Sequence, residues 1–162
     1  MLHSRVWRCS LVLILAAGSA VSWDPGAHAA QPSASTATLP HVVVEDAWIP
    51  QPPPGAEVAA AYLTVRNPGP ASVVLTDVES SLADAAMLHE SLERNGQAEM
   101  RPVERLTIAP GQRIVLMPGG LHIMLHGLHH PLAVGDRVPL TLHFAGGSSL
   151  AVTARVRPLG SS

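Results

Sequence analysis

Cysteine is almost missing from this chain: its 162 residues include one, Cys9, close to the N-terminus. Lysine is absent altogether, and all ten positive residues are Arg. There is one Phe and one Tyr, and only 14% of residues are charged. Each shortage closes off a class of function. Without lysine there is no Schiff-base chemistry, and beyond Cys9 there is no thiol nucleophile, disulfide framework or thiolate ligand. A net charge of −2 with scattered Arg residues offers no basic field for nucleic acid. The sparse aromatics leave little surface on which bases could stack. No Gly-x-Ser-x-Gly elbow, His-Glu-x-x-His pair or Gly-rich phosphate loop is present, and nothing specifies a catalytic triad. No segment keeps a helical period over ten or more residues. What remains is an apolar fraction of 47%, too high for disorder throughout, in a length that suits one domain.

The first 29 residues read as a signal peptide. Arg5 and Arg8 supply a positive start, and Ser10 to Val21 is an apolar run too short to cross a bilayer comfortably. Ala27-His28-Ala29 fits a small-x-small cleavage site, which makes Ala30 the first mature residue. An uncleaved anchor is the competing reading. Cys9 precedes the apolar run, whereas a lipoprotein cysteine would follow it, so cleavage removes the only thiol. Residues 30–40, rich in Pro, Ser and Thr, read as a flexible linker. A single domain is expected over 41–158, with a short tail at 159–162. The destination is the periplasm, and the expectation is a monomer with no membrane span after cleavage.

Within the domain, apolar runs alternate with turn residues. Strands are expected at His41–Ile49, Val58–Arg66, Ser72–Val78, Arg113–Met117, Leu121–Leu125, Arg137–Phe144 and Leu150–Val156. Asn95-Gly96 is a strong hairpin signal, pairing Ser91 with Met100 and His89 with Pro102. Ser81–Ala86 is expected to form a turn of helix. Along Arg137–Phe144, Val138, Leu140, Leu142 and Phe144 alternate inward. Eight or nine short strands at this spacing predict an all-β sandwich or barrel.

The chemistry concentrates between Met87 and Met124. His89 is followed after ten residues by Met100, then after twenty-one by His122, then after one by Met124. Strand alternation puts His89 with Ser91 on one face, diagonal to Met100, and puts His122 with Met124 on one face. Imidazole and thioether are the donors a soft metal ion prefers where no thiolate is offered. Other residues have plainer readings. Met87 and Met117 read as core filler or neighbours of the ligands, and Trp48 as a core or rim anchor. His126 shares a face with His122 and Met124 and could be a spare or Cu(II)-assisting ligand, although an exposed His near a turn is the default. His129-His130 reads as an exposed loop pair, and His143 as facing solvent. Glu90 reads as a ligand's hydrogen-bonding neighbour or a solvated edge carboxylate.

The order His89, Met100, His122, Met124 resembles the signature of the periplasmic copper chaperones of the PCuAC type. The surrounding AAYLTVRNPG at Ala60 to Gly69, LHE at Leu88 to Glu90, PGGLHIML at Pro118 to Leu125 and GDRVPLTLHF at Gly135 to Phe144 are similar to that family too. The resemblance runs from about Val42 to Val156. It implies a cupredoxin-like Greek-key β-sandwich or barrel that binds Cu(I) through those four residues. It also implies delivery of copper to the CuA centre of cytochrome c oxidase, directly or through a thiol-bearing copper donor. Many members of that family carry a His- and Met-rich tail, whereas this chain ends RVRPLGSS. The competing functions are an envelope interaction module with an incidental His/Met cluster, a copper storage or tolerance protein, and a copper-dependent redox enzyme. The last ranks lowest, because four ligands leave no open position for substrate.

Overall fold

Alternation of apolar and polar residues governs the described part of the chain, residues 41–94 and 96–160 of a computed structural model. Ten strands form among them: β1 (Val43–Pro50), β2 (Val58–Arg66), β3 (Val73–Glu79), β4 (Ala83–Arg94), β5 (Gln97–Pro102), β6 (Leu106–Ile108), β7 (Arg113–Leu116), β8 (Leu121–Leu128), β9 (Arg137–Phe144) and β10 (Ser149–Arg157). In β9 the inward set is Val138, Leu140, Leu142 and Phe144, all buried, as the alternation predicts. Ala59, Ala61, Leu63 and Val65 of β2 and Ile123 and Leu125 of β8 complete much of the same core. The expected leader and most of the expected linker lie outside the described residues.

Pairing runs β4-β8-β2-β1-β10-β9-β3, and β3 returns to β4 through Val78 opposite Ala86. Seven strands therefore close into a mixed barrel, parallel only where β1 meets β10. Closure removes the open edges on which sheets aggregate. Two strands share one edge between two partners. β2 pairs with β8 through its first half and with β7 through its second. β4 meets β3 near its start and β5 along its second half.

Two expectations need correction. Ser81–Ala86 forms no helix: the chain turns at Ser80–Leu82, where Ser80 accepts the amides of Leu82 and Ala83, and β4 begins at Ala83. Alanine favours helix locally, but the free edge of β8 offers Ala83, Ala85 and Ala86 a hydrogen-bonded ladder, and tertiary pairing overrides propensity. The short β6 escapes sequence reading because three residues carry no period. Elsewhere the differences are mainly strand ends, with β8 three residues longer than expected.

Asn67 anchors the loop after β2. It is fully buried; its side-chain amide donates to Ala71 O and Ile108 O, and its Oδ1 accepts from Gly69 N. Removing that side chain strands a buried carbonyl and an amide, each costing about 1–3 kcal/mol. Asn67→Ala is expected to destabilise the domain by at least about 2 kcal/mol in urea unfolding. A change below about 0.5 kcal/mol would contradict this.

Candidate metal centre

The core decides which face carries the donors. Leu88 pairs with Ile123 and Ala86 with Leu125, and all four side chains are buried. Alternation then sends their neighbours outward: His89 opposite His122, Met87 opposite Met124, and Ala85 opposite His126. The β4–β5 hairpin adds Met100. Its register, Arg94 to Gln97 through Ser91 to Met100 and His89 to Pro102, leaves a two-residue turn, with Gly96 at φ 75°. This is the register the sequence predicts, and it puts Met100 on the face of His89, one step along the strand. All four sequence-predicted donors thus share the outer face of the β5-β4-β8 segment. Met100 lies on the outermost strand and is 58% exposed.

The two imidazoles are held differently. His122 is only 4% exposed, and its Nδ1 lies 3.0 Å from Gly120 O. A carbonyl can only accept, so Nδ1 carries the proton and Nε2 keeps its lone pair for a ligand. The same oxygen also accepts the Ser91 amide at 3.1 Å, which ties the start of β8 to β4. Gly119, at φ 78°, and Gly120 make the tight turn that presents this carbonyl. His89 packs edge-on to His122 with ring centroids 5.9 Å apart, and its Nδ1 is buried without a hydrogen-bond partner. Burial first, and then electrostatic interaction with the neighbouring His122 and His126 rings, hold the His89 pKa below the usual imidazole value.

The fold decides among the plainer readings. His126 is not an exposed turn residue: it is half-buried, its Nε2 is buried without a partner, and its ring lies 6.2 Å from His89. Neither Met87 nor Met117 fills the core, being 43% and 54% exposed. Met87 belongs to the donor face, where parity with His89 was the signal available in the sequence. Trp48 is a rim residue, 4.9 Å from Tyr62 and under the Arg157 guanidinium. Glu90 pairs across the hairpin with Arg101 at 2.7 Å, on the face opposite His89. His129 binds Asp84 at 3.0 Å, His130 is exposed, and His143 lies 3.2 Å from Glu79.

Among the described residues, no three His, Cys, Asp or Glu side chains are grouped so as to hold a metal ion. Any tight site on this face therefore needs thioether donors. Free imidazole lone pairs beside uncharged sulfur make a soft, low-charge donor set of the kind that selects Cu(I) over harder ions.

Residues 42–156 match the family model described as "Putative lipoprotein LpqE-like". A relative from Leifsonia xyli subsp. xyli (strain CTCB07), named "Putative lipoprotein Lxx21020", is 35% identical over 117 residues, covering 72% of this chain and 69% of the relative. Among solved structures, CuI-DR1885 from Deinococcus radiodurans is 35% identical with a TM-score of 0.60, over 76% of this chain and 83% of that one. The apo PCuAC domain from PmoF1 has a TM-score of 0.62 at 23% identity, over 75% of this chain and 97% of that one. The all-β barrel is thus the cupredoxin-like fold of PCuAC domains, and the resemblance read from the sequence holds in structure.

The lowered pKa of half-buried His89 has a consequence for the metal-free protein. The unfolded chain takes up its proton near pH 6.5, while folded His89 resists until lower pH. Just below pH 6.5 the unfolded state therefore binds more protons, and stability falls as pH falls through that window. Urea midpoints between pH 7.5 and 5 are expected to show this decline, and His89→Gln to flatten it. An unchanged slope in the variant would contradict the assignment.

Proposed function

The chain belongs to the LpqE-like family, and on that premise we propose that it is a Cu(I) chaperone of the cell envelope. Copper is cargo here, held by His89, Met100, His122 and Met124. The observation that carries this reading is the facing pair of imidazoles on β4 and β8. His122 has its tautomer fixed by Gly120 O, and His89 has a buried nitrogen lacking any partner. A bound ion would satisfy that nitrogen, and Met124 and Met100 flank the pair from two strands. The name CuI-DR1885 supports the choice of ion.

The donor chemistry favours carriage over catalysis. Thioether sulfur needs no deprotonation and is not consumed by disulfide formation in an oxidising compartment. Blue-copper electron transfer requires a Cys thiolate, and no Cys lies within residues 41–160. Neutral ligands with one sulfur exposed suit stepwise displacement by a thiolate-bearing acceptor. The acceptor is the CuA subunit of cytochrome c oxidase or an intermediate thiol-bearing copper donor. Export through the N-terminal signal brings the chain to that compartment, and the lipoprotein names of its relatives agree with an envelope location.

Anaerobic Cu(I) titration against a competing chelator tests the site. One ion per chain is expected, with Met100→Leu and Met124→Leu each weakening binding at least tenfold while the fold persists. No binding, or no loss in either variant, would overturn the reading. Affinity is also expected to fall as pH drops through about 6, because protonated imidazole cannot ligate. A flat profile from pH 8 to 5 would exclude histidine ligands.

A further inference from the structure

We infer that two copies of this chain pair through the free edge of β5, antiparallel, about a two-fold axis at Met100. β5 lies outside the closed seven-strand barrel, and among the described residues it pairs with no strand but β4. β8 stops pairing with β4 at Leu121, opposite Glu90, so the far half of the β4–β5 hairpin projects beyond that neighbour. The edge from Gln97 to Pro102 is therefore open to a strand from outside.

The backbone decides which groups face that edge. Val103 N donates to Leu88 O at 2.8 Å, so the residues in phase with Val103, which include Arg101 and Glu99, turn their amides and carbonyls toward β4. Ala98, Met100 and Pro102 turn theirs outward. Pro102 has no N–H, so its place on this side leaves no donor unpaired. Antiparallel pairing centred on Met100 suits the pattern. Met100 exchanges two hydrogen bonds with its counterpart, and each Ala98 amide meets a Pro102 carbonyl across the axis.

Charge selects a second copy as the occupant. In that register Glu99 of each copy stands opposite Arg101 of the other, on the face away from Met100. Both residues are exposed, and Arg101 already pairs with Glu90 of its own chain at 2.7 Å. The arriving carboxylate then puts Arg101 between two acids. Moving the axis one residue, to Glu99 or to Arg101, would set like charges face to face, which is destabilising.

The two Met100 side chains come together on the donor face, on backbones about 5.5 Å apart. Met100 is 58% exposed, so its thioether is free to meet its counterpart. Where the proposed copper site holds, Cu(I) can pass between copies by thioether exchange, one Met100 sulfur bonding as the other leaves. That consequence rests on the copper reading; the strand pairing does not.

Such an edge is at the small, transient end of interfaces, below about 1,200 Å², so a concentration-dependent dimer is expected rather than the monomer suggested by the sequence. Sedimentation velocity of the metal-free protein up to about 1 mM should show the dimer fraction rising with concentration. Glu99→Arg and Arg101→Glu each put like charges across the axis, and each variant alone should associate at least tenfold more weakly. Mixing the two variants restores opposite charges at both positions and should restore association, which also shows that both fold. A wild type that stays monomeric throughout, or a mixture no more associated than its components, would overturn the inference and leave the edge to another protein's strand. Met100→Cys in a Cys9→Ser background should form an intermolecular disulfide, because about 5.5 Å between Cα atoms lies within bridging range. Association without that cross-link would also overturn it, since the axis would lie elsewhere. A protein that dimerises in this way but binds no Cu(I) defeats the chaperone reading alone, so the two failures are distinct.

Discussion

The ladder between β4 and β8 is the constraint on which the site depends. Leu88, Ile123, Ala86 and Leu125 are buried beneath it, and that burial fixes the register. A slip of one residue would turn Ile123 and Leu125 to solvent and push His122 and Met124 into the core. The core therefore holds the proposed donors on one face from beneath. The same ladder brings Gly120 O to the Ser91 amide and to His122 Nδ1, coupling backbone closure to the orientation of the His122 ring.

Above this ladder the polar groups are under-satisfied in a patterned way. Nitrogens of His89, His126 and His143 are buried without hydrogen-bond partners, but that of His143 lies 3.2 Å from the Glu79 carboxylate, whereas no carboxylate is paired with the other two. In a folded protein such orphaned atoms are uncommon and costly, so their clustering on the face that also carries the methionines points to a ligand. The sulfur atoms grade outward from Met124, which is half-buried, to Met87 and Met100, which are exposed. That gradient leaves the face open on one side, as the proposed stepwise exchange requires.

Much of this was legible from the residues. The alternation in Arg137–Phe144, the turn signal at Asn95-Gly96 and the parity of His122 with Met124 each rest on local periodicity, and the folded chain follows them. The shared face of His89 and Met100 followed from a two-residue turn. Other features depend on distant partners. The strand at Ala83 exists because β8 offers it an edge, and an alanine-rich run alone points to helix. His126 lost its plain reading because the approach of the His89 and His126 rings is set by side-chain packing across strands, which spacing does not encode. The Gly120 carbonyl that fixes the His122 tautomer is a backbone atom, invisible to any scan for ligand residues.

The account stands on mixed coordination: nitrogen from His89 and His122, sulfur from Met100 and Met124, around a single monovalent ion. X-ray absorption at the copper edge of the Cu(I)-loaded protein measures that directly. The account predicts two nitrogen and two sulfur scatterers around one Cu(I), with one sulfur lost in Met124→Leu. A shell of nitrogen and oxygen alone, or a sulfur count unchanged by that substitution, would contradict it.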